Sequence, residues 1–251
     1  MAHSDAPWGG SAFGGSLRPG VGDSANRVAL VSAIRGIASL ARSGVPAARP
    51  PSTARGEFVR SRDVTDSPRL LKFRCTSCGN CCKDPLLPLT DADVARISAR
   101  TGDPAEEIVR WVDRHGIEMD DEPEGFVSLR QGKRVMVLRH GRRGCRYLGA
   151  DDRCTIYTSR PLGCRIFPFD PTFRKDGTLR RLQLIQATDC KYELDGKNDV
   201  DEMRTLHKRY EVATEAYQDK IADWNKAQAK RKRSGARPET ARRFLEFLGL
   251  S

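Results

Sequence analysis

Four cysteines lie within eight residues of this chain, in the stretch C-T-S-C-G-N-C-C that runs from Cys75 to Cys82. A metal held by thiolates needs several sulfurs within about 2.3 Å of one ion, and a C-x2-C step supplies two of them from one tight turn. Gly79 allows the backbone to fold back in that turn. The stretch therefore predicts loops that take their shape from what their sulfurs bind.

The remaining cysteines are spread over the following hundred or so residues. The complete set is Cys75, Cys78, Cys81, Cys82, Cys145, Cys154, Cys164 and Cys190. An even count is also compatible with a disulfide framework, but the sequence shows no secretory signal, because the apolar run near residue 30 is interrupted by Arg35. In a reducing compartment, clustered thiols hold metal or do redox work more often than they form disulfides. We expect a metal-binding protein of the cytoplasm.

The formal net charge of +11 is concentrated at the two ends of the chain. Residues 1–62 carry eight Arg and three acidic residues, and residues 226–243 carry eight basic residues and one acidic residue. The part between them is close to neutral, so it lacks the basic surface of a nucleic-acid-binding platform. Nucleic acid stays open as a partner only for the C-terminal basic run K-R-K-R-S-G-A-R-P.

Composition divides the chain into four parts. Residues 1–62 are rich in Gly, Ser, Pro and Arg, a composition that predicts a disordered extension. Within this extension, residues 27–42 resemble an organelle transit peptide, so an organelle is the alternative location. Residues 63–195 are the predicted cysteine-cluster domain, residues 196–233 a long helix packing on it, and residues 234–251 a basic hinge and short amphipathic tail. No apolar stretch reaches 18 residues, so no membrane span is predicted.

Two helices are predicted between the two groups of cysteines. The first begins after Thr90 as N-cap, with Asp93 three residues on, and ends at Gly102. The second runs from Pro104 to Gly116, with its apolar residues packing inward. Farther along, His115 and His140 are predicted to be structural, and His207 is placed on the polar flank of the long helix.

The strand pattern and the long helix complete the expected fold. Gly132-Lys133 is predicted as the turn of a β-hairpin, and residues 179–186 as a strand that follows the turn Lys175-Asp176-Gly177. The apolar stripe of the long helix consists of Met203, Leu206, Tyr210, Ala213, Tyr217, Ile221 and Trp224. We expect an α+β fold: a small irregular metal-stabilised domain with short helices, a few antiparallel strands and a long C-terminal helix.

The spacing of the first cysteines fits no single metal-site template. Cys75, Cys78 and Cys81 have the ferredoxin-like C-x2-C-x2-C step, but Cys82 follows at once where a ferredoxin has its next ligand four positions on. A zinc ribbon pairs one C-x2-C with another farther along the chain, and the later cysteines have no such spacing. Successive side chains of an extended backbone diverge, so Cys81 and Cys82 are expected to serve different centres. Two four-ligand centres, and one centre with a redox-active remainder, both stay open.

Basic and aromatic residues accompany the later cysteines, in C-R-Y-L and C-T-I-Y-T-S-R-P-L-G-C-R-I-F-P-F. Four thiolates around a divalent ion or a four-iron cube leave a net charge of about minus two, which nearby cations offset. Arg160, Arg165 and Tyr157 are the predicted neighbours of the ligands, while Arg146 is equally compatible with an ordinary surface role. Residues 166–169 are predicted to form an apolar wall that limits access of water.

Taken together, these motifs resemble the YkgJ-type CxxCxxCC cysteine-cluster family, over about residues 73–192. The combination of C-x2-C-x2-C-C with R-P-x2-C-R-x-F-P is far more specific than a lone C-x2-C. The family is described as zinc- or iron-chelating, and some members are called iron–sulfur oxidoreductases. The resemblance implies that all eight cysteines are metal or cofactor ligands. A related branch includes flagellin lysine N-methylases, although no glycine-rich nucleotide-binding fingerprint supports a methyl-donor site here.

Three functions follow as expectations. The first is a protein with one or two Cys-ligated centres that works with a redox partner in electron transfer or in a modification reaction. For these centres we expect iron–sulfur rather than zinc, and a four-iron rather than a two-iron cluster. This would make the chain an iron–sulfur oxidoreductase. The second is a zinc-stabilised interaction module with basic tails, and the third is a protein lysine N-methylase-like enzyme. Neither catalytic residues nor an oligomeric state follow from the sequence.

Overall fold

The computed structural model describes residues 67–83, 86–117, 123–185 and 190–250, so the predicted extension 1–62 and the transit-peptide-like stretch 27–42 lie outside the described residues. The helices of the described part are α1 Ser67–Leu70, α2 Asn80–Lys83, α3 Asp91–Thr101, α4 Ala105–Ile108, α5 Leu162–Ile166, α6 Val200–Arg233 and α7 Ala241–Phe247. Its strands are β1 Arg74–Cys75, β2 Val109–Val112, β3 Val127–Leu129, β4 Gly132–Leu138, β5 His140–Gly141, β6 Gly144–Cys145, β7 Phe169–Phe173, β8 Leu179–Leu184 and β9 Tyr192–Glu193.

The strands form small antiparallel sheets. β1 pairs with β9, β4 lies between β2 and β3, β5 pairs with β6, and β7 pairs with β8. The expected α+β fold, with short helices, several antiparallel strands and a long C-terminal helix, is confirmed. None of the described helices is both long and apolar enough to cross a membrane.

Helix α3 forms where its end signals predict it. The Thr90 hydroxyl accepts a hydrogen bond from the Asp93 N–H, and the Asp93 carboxylate accepts one from the Thr90 N–H, both at 3.2 Å. At the other end, Gly102 has a φ of 76°, a left-handed conformation that glycine adopts without strain. Local capping chemistry therefore sets both ends of this helix.

The second predicted helix, from Pro104 to Gly116, is wrong for most of its length. Helix α4 is one turn, and the chain then continues as β2, Val109–Val112, which pairs antiparallel with β4. The segment V-R-W-V is rich in β-branched and aromatic residues, which pack well on a pleated surface. The partner strand is about 25 residues away, so a local pattern could not reveal the pairing.

Two predicted strand features are confirmed with small differences. The hairpin β3–β4 pairs Leu129 with Gly132, so Arg130 and Gln131 form the turn rather than Gly132-Lys133. The strand predicted at residues 179–186 is β8, Leu179–Leu184. Its partner β7 was not predicted, because part of it had been assigned to the apolar wall at residues 166–169.

Helix α6 is 34 residues long, or about 50 Å. The Asp199 carboxylate caps it by accepting hydrogen bonds from the N–H groups of Asp201 and Glu202. Its buried residues are His207, Tyr210, Thr214, Tyr217, Ile221, Trp224 and Gln228. The placement of His207 on a polar flank is wrong, because its ring packs edge-on against Phe173, with ring centroids 5.7 Å apart.

The described part of the predicted tail, residues 234–250, is held by the domain core. Phe244 of α7 is fully buried and its ring packs edge-on against those of Trp111 and Trp224. The backbone N–H of Arg130 donates to the carbonyl of Glu239 at 2.8 Å, and the Glu239 N–H donates to the side chain of Gln228 at 2.9 Å. The tail therefore closes the core beside β2 and α6.

Candidate metal centre

The first cysteine motif is a tight loop that leads into the single turn of α2. Ser77 and Gly79 both have positive φ, at 58° and 71°, which reverses the chain between Cys75 and Cys81. A Cβ added at Gly79 would lie 2.8 Å from the carbonyl oxygen of Asp152. This glycine therefore allows the loop to pack against the segment that precedes Cys154.

A second glycine brings β6 against α2. Gly144 has a φ of 117°, and a Cβ at this position would lie 2.3 Å from the carbonyl oxygen of Cys82. No larger side chain fits between the two backbones. The close approach places Cys145, the next residue, beside the cysteines of α2.

The loop after β6 turns back and returns Cys154 to the same place. Leu148 and Cys154 form an isolated antiparallel bridge, and the N–H of Thr155 donates to the carbonyl of Tyr147 at 2.9 Å. Cys145, Cys154 and Cys82 all pack against the main hydrophobic core. The core therefore positions these three sulfurs.

Cys164 lies on α5, which is fixed to α3 by a buried carboxylate. Asp93 accepts a hydrogen bond from the backbone N–H of Leu162 at 2.9 Å, and Arg96 donates to the carbonyl of Arg160 at 3.0 Å. On its other side α5 packs against Tyr210 of α6. Helix α5 is therefore held from two directions.

These elements gather four inner thiols, those of Cys81, Cys145, Cys154 and Cys164. Desolvation raises the pKa of Cys145 to about 11, and the charges of Cys154 and Cys81 add to the increase. A hydrogen bond from the Tyr147 N–H acts in the opposite direction. Desolvation also raises the pKa of Cys164 well above its usual range, and the charges of Cys145 and Cys81 contribute again. The inner thiols therefore interact electrostatically. A metal ion that binds them would have to displace their protons.

Arg160 is the cation of this neighbourhood. Its charge opposes the increase in the pKa of Cys81, Cys154 and Cys164. The guanidinium carbon lies 3.9 Å from the ring centroid of Tyr157, and the Nε atom is buried without a hydrogen-bond partner among the described residues. The structure thus places Arg160 at the inner thiols, with Tyr157 covering one face of its guanidinium.

The other predicted neighbours are placed differently. Arg165 is exposed and forms no ion pair with the described part of the chain. Arg146 forms ion pairs with Asp103, at 3.2 Å, and with Glu107, at 2.6 Å. Arg146 thereby braces the loop after β6 against α4, which favours the ordinary surface role. Of the wall at residues 166–169, Ile166 packs into the cluster between α5 and α6.

Three outer thiols, those of Cys75, Cys78 and Cys190, lie where β1 meets β9. Desolvation raises the pKa of Cys78, but hydrogen bonds from the N–H groups of Asn80 and Lys191 and from the Cys190 thiol outweigh it, so the pKa is lowered. In the β1–β9 pair, Cys75 lies opposite Tyr192, two residues after Cys190. Cys75 itself is exposed.

Cys82 lies next to the inner thiols. A hydrogen bond with Cys82 and desolvation raise the pKa of Cys81, and the charges of Cys82 and Cys78 add to the increase. Cys81 therefore interacts with both of these cysteines. The expectation that they diverge assumed an extended backbone, and that assumption is wrong, because both residues lie in the helical turn α2. Side chains one residue apart on a helix point about 100° apart, not to opposite sides.

His140, for which the sequence predicts a structural role, lies near the inner thiols. His140 lies directly opposite Cys145 in the β5–β6 pair, where side chains share a face with their Cβ atoms about 5 Å apart. The signal was present in H-G-R-R-G-C, a hairpin pattern whose two-residue turn is Arg142-Arg143. His140 is therefore a direct cross-strand neighbour of Cys145.

The donor chemistry of this region fits zinc or iron–sulfur binding. All eight cysteines are free thiols, and thiolate is the ligand that both kinds of centre use. Within the described residues, no group of three or more His, Cys, Asp or Glu side chains is arranged as a formed metal site. The thiols therefore have the right chemistry and share a neighbourhood, and binding would draw them together.

Residues 74–191 match the model of the CxxCxxCC family, described as "putative zinc- or iron-chelating domain". The resemblance drawn from the cysteine motifs is confirmed. The matched stretch runs from β1 to the residue before β9, so it includes every cysteine of the chain. The match supports zinc or iron binding by this domain. No curated protein and no solved structure gives a significant match to the chain.

Proposed function

We propose that the matched stretch, residues 74–191, holds an iron–sulfur cluster that passes electrons to and from a redox partner. The observation that carries the proposal is the group of inner thiols beside Arg160. A sulfur-only donor set is typical of iron–sulfur clusters, which give the redox activity that zinc lacks. The work of the chain itself is to hold the sulfurs, balance their charge and control access of water.

Arg160 is proposed to balance the charge. Four thiolates bring more negative charge than the net positive charge of an iron–sulfide core neutralises. A cation close to a cluster stabilises its reduced form. Tyr157 covers one face of the Arg160 guanidinium. The exposed ring of Tyr157 would shield this charge on the solvent side, so that it acts mainly on the sulfurs.

The exposure of Cys81, one of the four inner thiols, favours electron exchange with a partner. Cys145 is buried, Cys154 and Cys164 are partly buried, and Cys81 is exposed. A centre with these ligands would be protected on the side of the core and open at Cys81. Transfer between proteins needs a centre that lies close to the surface on at least one side.

The test is purification of the full chain without oxygen, followed by measurement of iron, zinc and acid-labile sulfide and a visible absorption spectrum. We expect brown protein with iron and sulfide in similar amounts, bleached by dithionite. Colourless protein with stoichiometric zinc would reject the iron–sulfur proposal. Protein that lacks both metals and contains stable disulfides would reject metal binding altogether.

The zinc outcome would favour the second candidate, a zinc-stabilised interaction module. The supporting observation is the exposed basic end of α6, residues 230–233, beside a cleft of about 430 Å³ lined in part by Trp224, Arg231 and Phe247. This end lies about 30 Å along the helix from Tyr210, where α6 packs on α5. Metal at one end would then stabilise a docking surface for an acidic partner at the other. Loss of folding on zinc chelation would support this candidate.

A further inference from the structure

The C-terminal end of α6, the turn after it and α7 form a strongly basic surface, which lies outside the matched stretch, residues 74–191. Its exposed cations are Lys226, Lys230, Arg231, Lys232, Arg233, Arg237, Arg242 and Arg243. Three of them pair with Glu239 or Glu246, and the others form no ion pair with the described part of the chain. Cations complement a helix dipole only in the last turn, and Lys226 and Arg237 lie outside that turn of α6. The surface therefore keeps positive charge that the fold itself does not use.

The turn after α6 has a fixed shape that brings the end of this helix against α7. Gly235 has a φ of 80°, and its N–H donates to the carbonyl of Lys232 at 3.1 Å. The N–H of Ala236 donates to the carbonyl of Arg231 at 3.0 Å. These bonds reverse the chain at the end of the helix, so that Arg231 and Arg243 line the same cleft. The cations of both helices therefore belong to one surface.

The cleft between α6 and α7, of about 430 Å³, contains aromatic rings and an amide. Trp224 and Phe247 line it with their ring centroids 5.3 Å apart, and Phe247 is 48% exposed. The side-chain oxygen of Gln228 accepts a hydrogen bond from the N–H of Glu239 at 2.9 Å, so the NH2 end of this amide is the one available to a ligand. The cleft therefore offers a flat apolar surface beside a hydrogen-bond donor.

The charges inside the cleft are matched, unlike those of the surface around it. Arg231 pairs with Glu239 at 2.9 Å, and Arg243 pairs with Glu246. The volume of the cleft is within the range of pockets that take small ligands. With its rings, its amide and its matched charges, it fits an uncharged planar group with polar edges, such as a nucleobase, better than a carboxylate side chain. The unpaired cations outside the cleft fit phosphate groups.

We propose that this basic surface binds single-stranded nucleic acid, with phosphates on the unpaired cations and one base stacked on the exposed ring of Phe247. Cations that follow the phosphate backbone and aromatic side chains that stack on bases are the two parts of a single-strand site that tolerates many sequences. An acidic protein segment would use the cations and leave the ring unused. The inference goes beyond the proposed function and holds for either metal, because the surface contains no cysteine.

The test measures binding of a fluorescent single strand of about 12 nucleotides, which spans a typical single-strand site, to the full chain purified without oxygen. Fluorescence anisotropy is recorded at several salt concentrations. We expect the logarithm of the association constant to fall linearly with the logarithm of the salt concentration. The slope should be about −3.5 when all the unpaired cations contact phosphates.

Two changes separate base stacking from charge. Phe247→Ala should weaken binding of the single strand about tenfold and leave the salt slope unchanged, whereas Phe247→Trp should keep the affinity. Lys230→Gln/Arg233→Gln should make the slope less steep by about 1.4, because two phosphate contacts are lost. Lys208→Gln/Arg209→Gln, which removes two exposed cations near the other end of α6, is the matched control and should change neither quantity. Circular dichroism checks that each variant is folded.

Each contrary outcome overturns the proposal. Phe247→Ala protein that binds the single strand as tightly as the natural sequence would show that no base occupies the cleft. An unchanged salt slope in Lys230→Gln/Arg233→Gln would assign the phosphate contacts to another part of the chain. Poly-glutamate that binds as tightly as the strand would make an acidic protein segment the partner. Metal content, measured on the same preparations, should be equal in all variants, so a failure here leaves the proposed function untouched.

Discussion

The carboxylate of Asp93 accepts a hydrogen bond from the backbone N–H of Leu162, 69 residues farther along the chain. Asp93 is almost completely buried, and it also caps α3 and pairs with Arg96. One carboxylate therefore fixes both the start of α3 and the start of α5. Because α5 carries Cys164, the position of that thiol depends on a residue that is not itself a metal ligand.

Replacement of Asp93 by Ala should destabilise the domain by about 3 kcal/mol, because it removes a charged acceptor and leaves the buried N–H of Leu162 and the Arg96 guanidinium without their partner. Urea unfolding of metal-free protein measures the change. Asp219→Ala, at an exposed position of α6, is the control and should stay within about 0.5 kcal/mol. Equal effects of the two variants would contradict the structural role of Asp93.

The glycines of the β5–β6 hairpin provide a matched pair. Gly144→Ala places a Cβ 2.3 Å from the Cys82 carbonyl oxygen at a positive φ, whereas a Cβ at Gly141 meets nothing within 4 Å. We expect Gly144→Ala to reduce both metal content and the free energy of unfolding, by about 2 kcal/mol or more, and Gly141→Ala to change neither by much. Elemental analysis and urea unfolding give the two readouts. A Gly144→Ala protein with full metal content would show that β6 need not touch α2.

Removal of the positive charge of Arg160 tests the proposal that this charge offsets the negative charge of the thiolates. Arg160→Gln should weaken metal binding by about tenfold, the lower end of the range for residues that support ligands, and Arg160→Lys should recover part of the loss. In iron-loaded protein the reduction potential of Arg160→Gln should be more negative. Arg165→Gln, on the exposed face of α5, is the control. Identical potentials for all four proteins would exclude an electrostatic role for Arg160.

The stability of metal-free protein should fall as the pH rises from about 9 to about 11. Desolvation raises the pKa of Cys145 from 9.0 to about 11, so the folded state keeps the proton more tightly than the unfolded state. The contribution is present in full below the unfolded pKa and is lost as the pH approaches the folded one. Thermal unfolding at a series of pH values measures it. Cys145→Ser should show a flatter profile, and an unchanged slope would contradict the prediction.

Features that short stretches of sequence determine were predicted well. Helix α3 depends on Thr90, Asp93 and Gly102, all within 13 residues, and the family resemblance depends on spacing alone. The errors concern pairing over longer distances. Residues 109–112 look helical until β4, about 25 residues farther along the chain, is present as a partner.

The grouping of the cysteines lies between these two cases. Their residue type and spacing indicate metal chemistry. Which of them lie together depends on the Gly144–Cys82 approach and on the hydrogen bond from the Thr76 hydroxyl to the Lys191 carbonyl. Both contacts join segments that are far apart in the chain. The sequence therefore indicates the cysteines as candidate ligands, but not which of them lie together.

The hydrogen bond from the Thr76 hydroxyl to the Lys191 carbonyl joins two segments that are 115 residues apart in the chain. An ion shared by Cys78 and Cys190 would close a covalent loop that encompasses nearly the whole domain. In the chain-entropy treatment of cross-links, a closure of this length restricts the unfolded ensemble by between about 4 and 5 kcal/mol. Unlike a disulfide, such a closure can be opened by a chelator without any change of redox state.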